Sequence, residues 1–410
     1  MAGETKNTKL PLEGIRVIDL TMWFQGPVAG QHLAHLGAEV IHFENPKGGD
    51  LARGIRSIKA LPVGDWNQYF LVINRNKKSM AVDLNHADGR EIMHKLVESS
   101  DVFLTNLSAK ALDKWDVGYE RLAAMNPRLI YAMGSGYGPK GTITKPSFDM
   151  TVQALIGLMT RQGEPGQPPV YLGMGSGDAM GGAMAALGIM LALNARERTG
   201  RGQFLDASLY GAQLFMAAPS FLGYLATRSP QYSRQVSRTQ APNPTWNTYR
   251  ASDDWLFLCV ANDDADFARL CAVLGEDALI SDARFADASA RQANAGALIA
   301  ALDARFAARP RGEWVDALGK AQLDAAAIGT FAELVGDEQT WANDYFLETQ
   351  CAEVNREVKV RGLPVTFSKT PGRVQALGPE LGQDTELILF EALGYDWDRI
   401  AELKANGAIL

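Results

Sequence analysis

Cysteine and histidine are scarce in this 410-residue sequence. Cys259, Cys271 and Cys351 are odd in number and widely separated. That excludes a disulfide framework or a structural zinc site and suits a reducing compartment, so a cytoplasmic location is expected. The five histidines, His32, His35, His42, His86 and His94, all fall in the first hundred residues, with no carboxylate or cysteine at metal-ligand spacing. Surface or helix-packing roles are expected for them, and no metal. No run approaches 18 consecutive apolar residues, and the opening MAGETKNTKL lacks the apolar centre of a signal peptide, so no membrane association is expected. The first strand-like segment is not followed by G-x-G-x-x-G, which argues against a nicotinamide or flavin cofactor. The formal charge is −7, and no basic run is interleaved with aromatics. Nonspecific nucleic-acid binding is therefore disfavoured, and an anionic ligand would need local Lys/Arg clusters.

Composition is that of an ordinary globular protein, 47% apolar and 21% charged. The length exceeds what one hydrophobic core usually holds, so two domains are expected. Residues 14–20 (GIRVIDL) read as a buried strand, residues 21–29 as a loop, then a helix closed by Gly37, then a second strand over 38–43 (AEVIHF). This β-loop-α-β pattern predicts a parallel sheet with a right-handed crossover. Further strand-like runs cover 80–84, 101–106, 129–133 and 204–208. A basic loop holds Lys47, Arg53, Arg56 and Lys59, and the cluster Arg75, Lys77, Lys78 is suited either to phosphates or to a solvated turn. Residues 217–237 suit an extended linker. Beyond 243 a hairpin at 248–260 and alanine-rich helices suggest a smaller α+β domain, with Trp246, Trp255 and Trp314 in its core. A terminal helix is expected over 380–393.

The chain is organised around residues 131–178. A short apolar strand ends in a glycine cluster, Gly134-Ser135-Gly136-Tyr137-Gly138, where backbone N–H groups can approach a ligand. A helix over 148–160, a Gly/Pro loop from Gly163 to Pro169, and a small-residue helix opened by Asp178 follow.

The stretches PLEGIRVIDLT, GP followed by LGAEVI, NRNKKSMAVDL, DVFLTN, NPRLIYAMGSGYG, FDMTVQALIGLM, RTGRGQFLDAS and FSKTPG occur in this order. On them the chain resembles the family III CoA-transferases, which include formyl-CoA transferase, carnitine CoA-transferase and α-methylacyl-CoA racemase. The resemblance implies an α/β fold. A large Rossmann-like domain with a parallel sheet would span residues 11–210 and be completed by about 340–410, with 211–239 a linker and 240–335 a small α+β domain. It also implies an interlocked dimer and coenzyme A, carried as acyl-CoA, with a carboxylic acid as second substrate.

By position, the resemblance places Phe24, Gln25, Asp83, Leu84 and Asn106 against CoA, with Arg75, Lys77 and Lys114 toward its phosphates and Ser135 and Tyr137 beside the thioester. Gln25 stands where many members have alanine, and Asn85 where many have lysine. In the loop GEPGQPP the resemblance implies a nucleophilic aspartate at the position held here by Gly166, leaving Glu164 as the nearest carboxylate. Asp149 and Asp178 match aspartates used in the racemase branch, but Phe148 replaces the histidine of that pair; capping and turn roles are expected for both. Three functions follow. The first is a non-catalytic subunit whose paralogous partner supplies the aspartate, as in benzylsuccinate CoA-transferase. The second is a self-sufficient transferase using Glu164, and the third a CoA-ester isomerase or lyase using Asp149 or Asp178. The aromatic residues Trp23, Phe24 and Phe148 suit a bulky acyl group.

Overall fold

A computed structural model describes residues 9–58 and 63–410. Lys59 of the basic loop and most of the N-terminal decapeptide lie outside the described residues. Two compact units are present. The first gathers residues up to 158, 171–219 and 339–410, and the second gathers 159–170 and 220–338.

The first unit is built on six parallel strands: β1 (Arg16–Leu20), β2 (Glu39–Glu44), β3 (Lys78–Ala81), β4 (Val102–Thr105), β5 (Ile130–Met133) and β6 (Phe204–Asp206). Their order is β3-β2-β1-β4-β5-β6, and every pairing is parallel. A parallel sheet is covered on both faces, so its strands are apolar on both sides. Val17, Val40, Val102 and Ala132 pack on one face, and Ile18, Ile41, Phe103 and Tyr131 on the other. The helices that matter for the site are α1 (Gln25–His35), α2 (Gln68–Ile73), α3 (Ala87–Glu98), α4 (Ala109–Lys114), α5 (Tyr119–Met125), α6 (Asp149–Leu155) and α7 (Ser176–Thr199). Leu33 of α1 and Ala185 and Ile189 of α7 cover the first face, and Ile92, Met93 and Leu96 of α3 cover the second.

Helix α7 lies very close to α1. A Cβ at Gly181 would stand 2.9 Å from Gln25 Nε2, and one at Gly182 would stand 2.7 Å from the Gln25 carbonyl oxygen. The small residues are thus a packing requirement. Among the described residues α7 is the one helix long and apolar enough to cross a membrane. Here Ala185, Ile189 and Leu193 are buried against the sheet and α1.

The second unit has a three-stranded antiparallel sheet, β7 (Trp246–Arg250), β8 (Trp255–Cys259) and β9 (Asp324–Ala327). Its core includes Tyr249, Leu258, Phe267, Leu298, Phe306 and Trp314. Trp314 is fully buried and donates from Nε1 to the Phe306 carbonyl, 2.8 Å. Trp246 departs from expectation: it is exposed, because strand alternation turns its neighbour Asn247 inward instead.

Three further segments differ from the sequence reading. The stretch 217–237, expected to be extended, holds a helix, α9 (Ala218–Thr227), which follows another, α8 (Leu209–Met216), capped by Ser208. Its aromatics and leucines are compatible with either state. An antiparallel hairpin, β10 (Phe346–Cys351) and β11 (Arg356–Arg361), precedes the irregular stretch after 361. The terminal helix starts at Thr385, ends at Gly394 with φ +68, and is followed by another helix, Trp397–Ala405.

Candidate active site

In an open parallel sheet, ligands bind at the carboxyl ends of the strands where the strand order reverses. Here that point is the gap between β1 and β4. A cavity of about 420 Å³ opens there. The loop after β1 contributes Met22, Trp23, Phe24 and Gln25. The loop after β4 contributes Asn106 and Leu107, and the β5 loop Gly134 and Gly136. Phe148 and Asp149 at the start of α6 and Asp178 in the first turn of α7 complete it.

The β1 loop is tightly fixed. Asn106 Oδ1 accepts from the Met22 N–H at 3.0 Å, and its Nδ2 donates to the Met22 carbonyl at 2.8 Å. Asp50 Oδ1 accepts from the Trp23 N–H at 3.2 Å. Trp23 has φ +68, a left-handed conformation that bulky residues seldom adopt. These bonds hold it there. Gln25 is buried and donates from Nε2 to the Ala207 carbonyl, 2.8 Å.

The two aspartates of the cavity differ sharply. Asp149 is buried. It accepts from the Gly175 N–H at 2.6 Å, the Gly177 N–H at 3.1 Å, Gln213 Nε2 at 2.7 Å and Gln153 Nε2 at 3.2 Å. It thereby ties α6 to the start of α7. Asp178 is half-buried, and no hydrogen bond among the described residues ends on its carboxylate. Burial, reinforced by the Asp149 charge, pushes Asp178 up to about 7. The N-terminus of α7 works the other way, favouring the ionised form. Near neutral pH Asp178 is thus a poorly solvated carboxylate with a readily exchanged proton, facing an open cavity.

Beneath the site lies a fully buried charged cluster. Lys77 Nζ donates to Asp19 Oδ2 at 2.7 Å, Asn74 Oδ1 at 2.8 Å and the Pro27 carbonyl at 2.9 Å. His42 sits between Asp19, 3.4 Å, and Asp50, 3.7 Å. Burial opposes charge on Asp19, but Lys77 and His42 outweigh it and hold the carboxyl well below its usual range. Burial likewise opposes the His42 cation, but Asp19 and Asp50 raise it to about 9. His42 is therefore neither a surface nor a helix-packing residue. Its partners are distant in sequence, so spacing could not reveal it.

The fold separates the residues suggested by sequence. Phe24, Gln25, Asn106, Asp149 and Asp178 meet in the one cavity. Ser135 and Tyr137 sit on the adjoining loop: Ser135 Oγ donates to Asp206 Oδ1 at 2.9 Å and accepts from the Gly138 N–H at 2.9 Å, and the Tyr137 hydroxyl donates to the Pro146 carbonyl at 3.2 Å. Leu84 lines a narrow cleft shared with Met22 and Trp115. Asp83 caps its own turn, accepting from Asn85. Lys114, at the end of α4, is exposed. Lys77 cannot meet a phosphate, because three neighbours already take its ammonium protons. Lys78 pairs with Glu39 at 2.6 Å. Arg75 is buried and lines a different cavity. Glu164 belongs to the second unit, where its carboxylate accepts from the Arg238 N–H at 2.8 Å and is held below its usual range by Ser237 and Arg238. Gly166, in the same loop, has φ +82 and open space where a Cβ would be. Sequence reading did not anticipate Trp115 in the cleft or the contrast between the two aspartates. The only sequence signal for the latter was GMGSGD opening a small-residue helix.

The sequence matches CoA-transferase family III over residues 12–385. The chain belongs to CoA-transferase family III. A succinyl-CoA–D-citramalate CoA-transferase of Chloroflexus aurantiacus is 32% identical over 97% of this chain and 98% of the relative. The β subunit of a succinyl-CoA–L-malate CoA-transferase of the same organism is 30% identical over 98% of this chain and 99% of the relative. A solved CaiB/BaiF family protein from Brucella suis superposes with a TM-score of 0.81 at 32% identity, covering 93% of this chain and 99% of that one. Both named relatives act on a CoA thioester and a carboxylic acid. This family III CoA-transferase is thus an enzyme of acyl-CoA chemistry, and a carboxylate lines its switch-point cavity.

Proposed function

We propose that this chain moves CoA from an acyl-CoA, such as succinyl-CoA, to a free carboxylic acid through a covalent cycle on Asp178. The observation that carries the reading is the Asp178 carboxylate itself. It lines the switch-point cavity, has no hydrogen-bond partner among the described residues and is raised to about 7 beside a fully bonded Asp149. A carboxylate nucleophile is required because each intermediate is an acyl derivative of the side chain.

Ionised Asp178 attacks the thioester carbonyl, the C–S bond breaks, and CoA leaves as thiolate, giving an acyl-aspartyl anhydride. The thiolate then attacks the aspartyl carbonyl and expels the donor acid as a carboxylate, leaving an aspartyl-CoA thioester. The acceptor carboxylate attacks that thioester and frees the thiolate again. Finally the thiolate takes the acyl group from the new anhydride and restores Asp178. No proton is gained or lost over the cycle. A raised carboxyl pKa makes the ionised form a stronger nucleophile, while leaving enough of it ionised at neutral pH.

Asp178 thus replaces position 166 as the seat of chemistry in this reading, and Glu164, already bonded to Arg238, has no part in it. For CoA itself we assign Phe24, Gln25 and Asn106 at the cavity, Leu84 and Asp83 at the neighbouring cleft, Ser135 and Tyr137 near the thioester, and Lys114 toward the phosphates. The interlocked dimer implied by the family accompanies this assignment.

The decisive experiment incubates the chain alone with succinyl-CoA, traps intermediates with hydroxylamine or borohydride, and locates them by peptide mass spectrometry. Modification at Asp178 is expected. An adduct on Glu164, or none on this chain, overturns the reading. A second arrangement, with a paralogous subunit, is supported by the relative named as a β subunit. It predicts an adduct only when the paralogue is present.

A further inference from the structure

A cavity of about 590 Å³ lies against α1, α7 and the end of β11, lined by residues of the first unit. Arg75, His32, His35 and Arg361 line it, and no Asp or Glu does. Arg75 is 1% exposed; among the described residues its Nε has no partner, and its side chain donates from Nη1 to the Arg361 carbonyl. His35 is 2% exposed, and neither ring nitrogen has a partner among the described residues. Arg361 reaches the rim and touches Gln31 Oε1 at 3.4 Å. Neither arginine forms an ion pair among the described residues. A buried guanidinium without an anion is a costly arrangement that native structures rarely leave standing. Val28, Met180 and Leu363 supply the rest of the wall, giving the site an apolar body behind its cationic end.

We propose that this cavity is a second binding site, for a small organic carboxylate whose anionic end meets Arg75 and Arg361 and whose carbon skeleton fills the apolar part. Planar guanidinium groups match a carboxylate in two-point geometry. Burial, with Arg361 and Arg75 beside them, pushes His32 down to about 4 and His35 down to about 2, so both imidazoles are neutral and the charge of the site is that of the arginines. The site is distinct from the catalytic cavity. Ser176 and Ala179 of α7 face it, whereas Asp178 faces the other side. An acid bound here would rest against the same helical turn that presents the nucleophile. The proposal does not depend on Asp178 being that nucleophile.

The test is calorimetric titration of the full chain with succinate, glutarate and benzoate, and with inorganic phosphate, repeated on Arg361→Gln and His32→Gln. These variants change partly accessible groups, so they keep the test valid if Arg75→Gln fails to fold. At least one carboxylate is expected to bind with Kd below about 1 mM, weakened about tenfold or more in Arg361→Gln. It should still bind Asp178→Asn with undiminished affinity. Absence of carboxylate binding, binding unchanged in both variants, or tighter binding of phosphate overturns the proposal. So does a chain that binds no acid but dissociates from its oligomer in Arg361→Gln, which would mean the anion is a side chain of a second copy.

Discussion

Asp149 and Asp178 face one cavity in opposite conditions. Among the described residues Asp149 accepts four hydrogen bonds, two from backbone amides at the start of α7, and Asp178 accepts none. Two carboxylates with such different surroundings divide the work: the bonded one is held rigid, and its charge raises the other. Asp149 is thus a positioning residue and Asp178 the group that reacts.

The first prediction concerns pH. Asp178 must be ionised to attack, and it titrates near 7. The kcat/KM for succinyl-CoA should rise with pH from 5.5 to 7 and level off by about 8. A profile flat from pH 5.5 upward would mean that the essential carboxylate is an ordinary one.

Removing that carboxylate should separate activity from stability. Asp178→Asn is expected to lose on the order of 10⁴-fold in kcat. The folded protein holds the Asp178 proton more tightly than the unfolded chain, so wild-type stability declines as pH rises from about 4 to about 7. The variant escapes that decline and should be more stable at pH 8 by roughly 1–2 kcal/mol, discounted from the full shift because the group is partly hydrated. Steady-state kinetics measure the first effect and urea unfolding at pH 5 and 8 the second, and equal pH slopes of stability for the two proteins would contradict the assignment.

Lys77→Met tests the buried cluster. It leaves Asp19 without its closest cation and should destabilise the protein by about 3–5 kcal/mol. His42 adds a pH signature. Its folded value is raised to about 9, so its contribution is complete below about 6.5 and lost as pH climbs toward 9. His42→Gln should flatten the stability profile over that window. A variant retaining the wild-type slope there would place the titration elsewhere.

Lys114→Ala should weaken CoA binding about tenfold if the exposed ammonium meets a phosphate. Its effect should shrink at high salt. Desulfo-CoA affinity, measured calorimetrically at two ionic strengths, decides this, and an unchanged Kd removes Lys114 from the site.

Much of the sheet was legible in the sequence. Segments 14–20, 38–43, 101–106 and 129–133 match β1, β2, β4 and β5 to within about two residues, because strands buried on both faces are rich in apolar residues. The β10–β11 hairpin was not, since Glu348, Glu357, Lys359 and Arg361 interrupt it, leaving alternation as the only cue. The site was half legible. Residues at strand ends, such as Phe24 and Asn106, could be placed from the pattern. Charged neighbours could not: Lys77 and Lys78 are adjacent and chemically alike, yet one is enclosed with Asp19 and the other pairs with Glu39 near the surface. Asp178 was named in the sequence only alongside Asp149, and what sets it apart was hidden, because that comes from a lack of donors among the described residues, which no motif encodes.

The edge strand β3 has consequences for synthesis on the ribosome. Ser79 exchanges two hydrogen bonds with Asp384, Asp83 N–H donates to the Ala408 carbonyl, and Leu410 N–H to that of Ala81. Residues emerging early thus wait for some three hundred more before that edge is closed. All six strands are made by residue 206, but the β3 edge stays uncovered, and in the interval it presents free backbone groups to any neighbouring nascent chain. Chaperone occupancy on stalled ribosomes should therefore persist until the segment beyond residue 380 has left the exit tunnel.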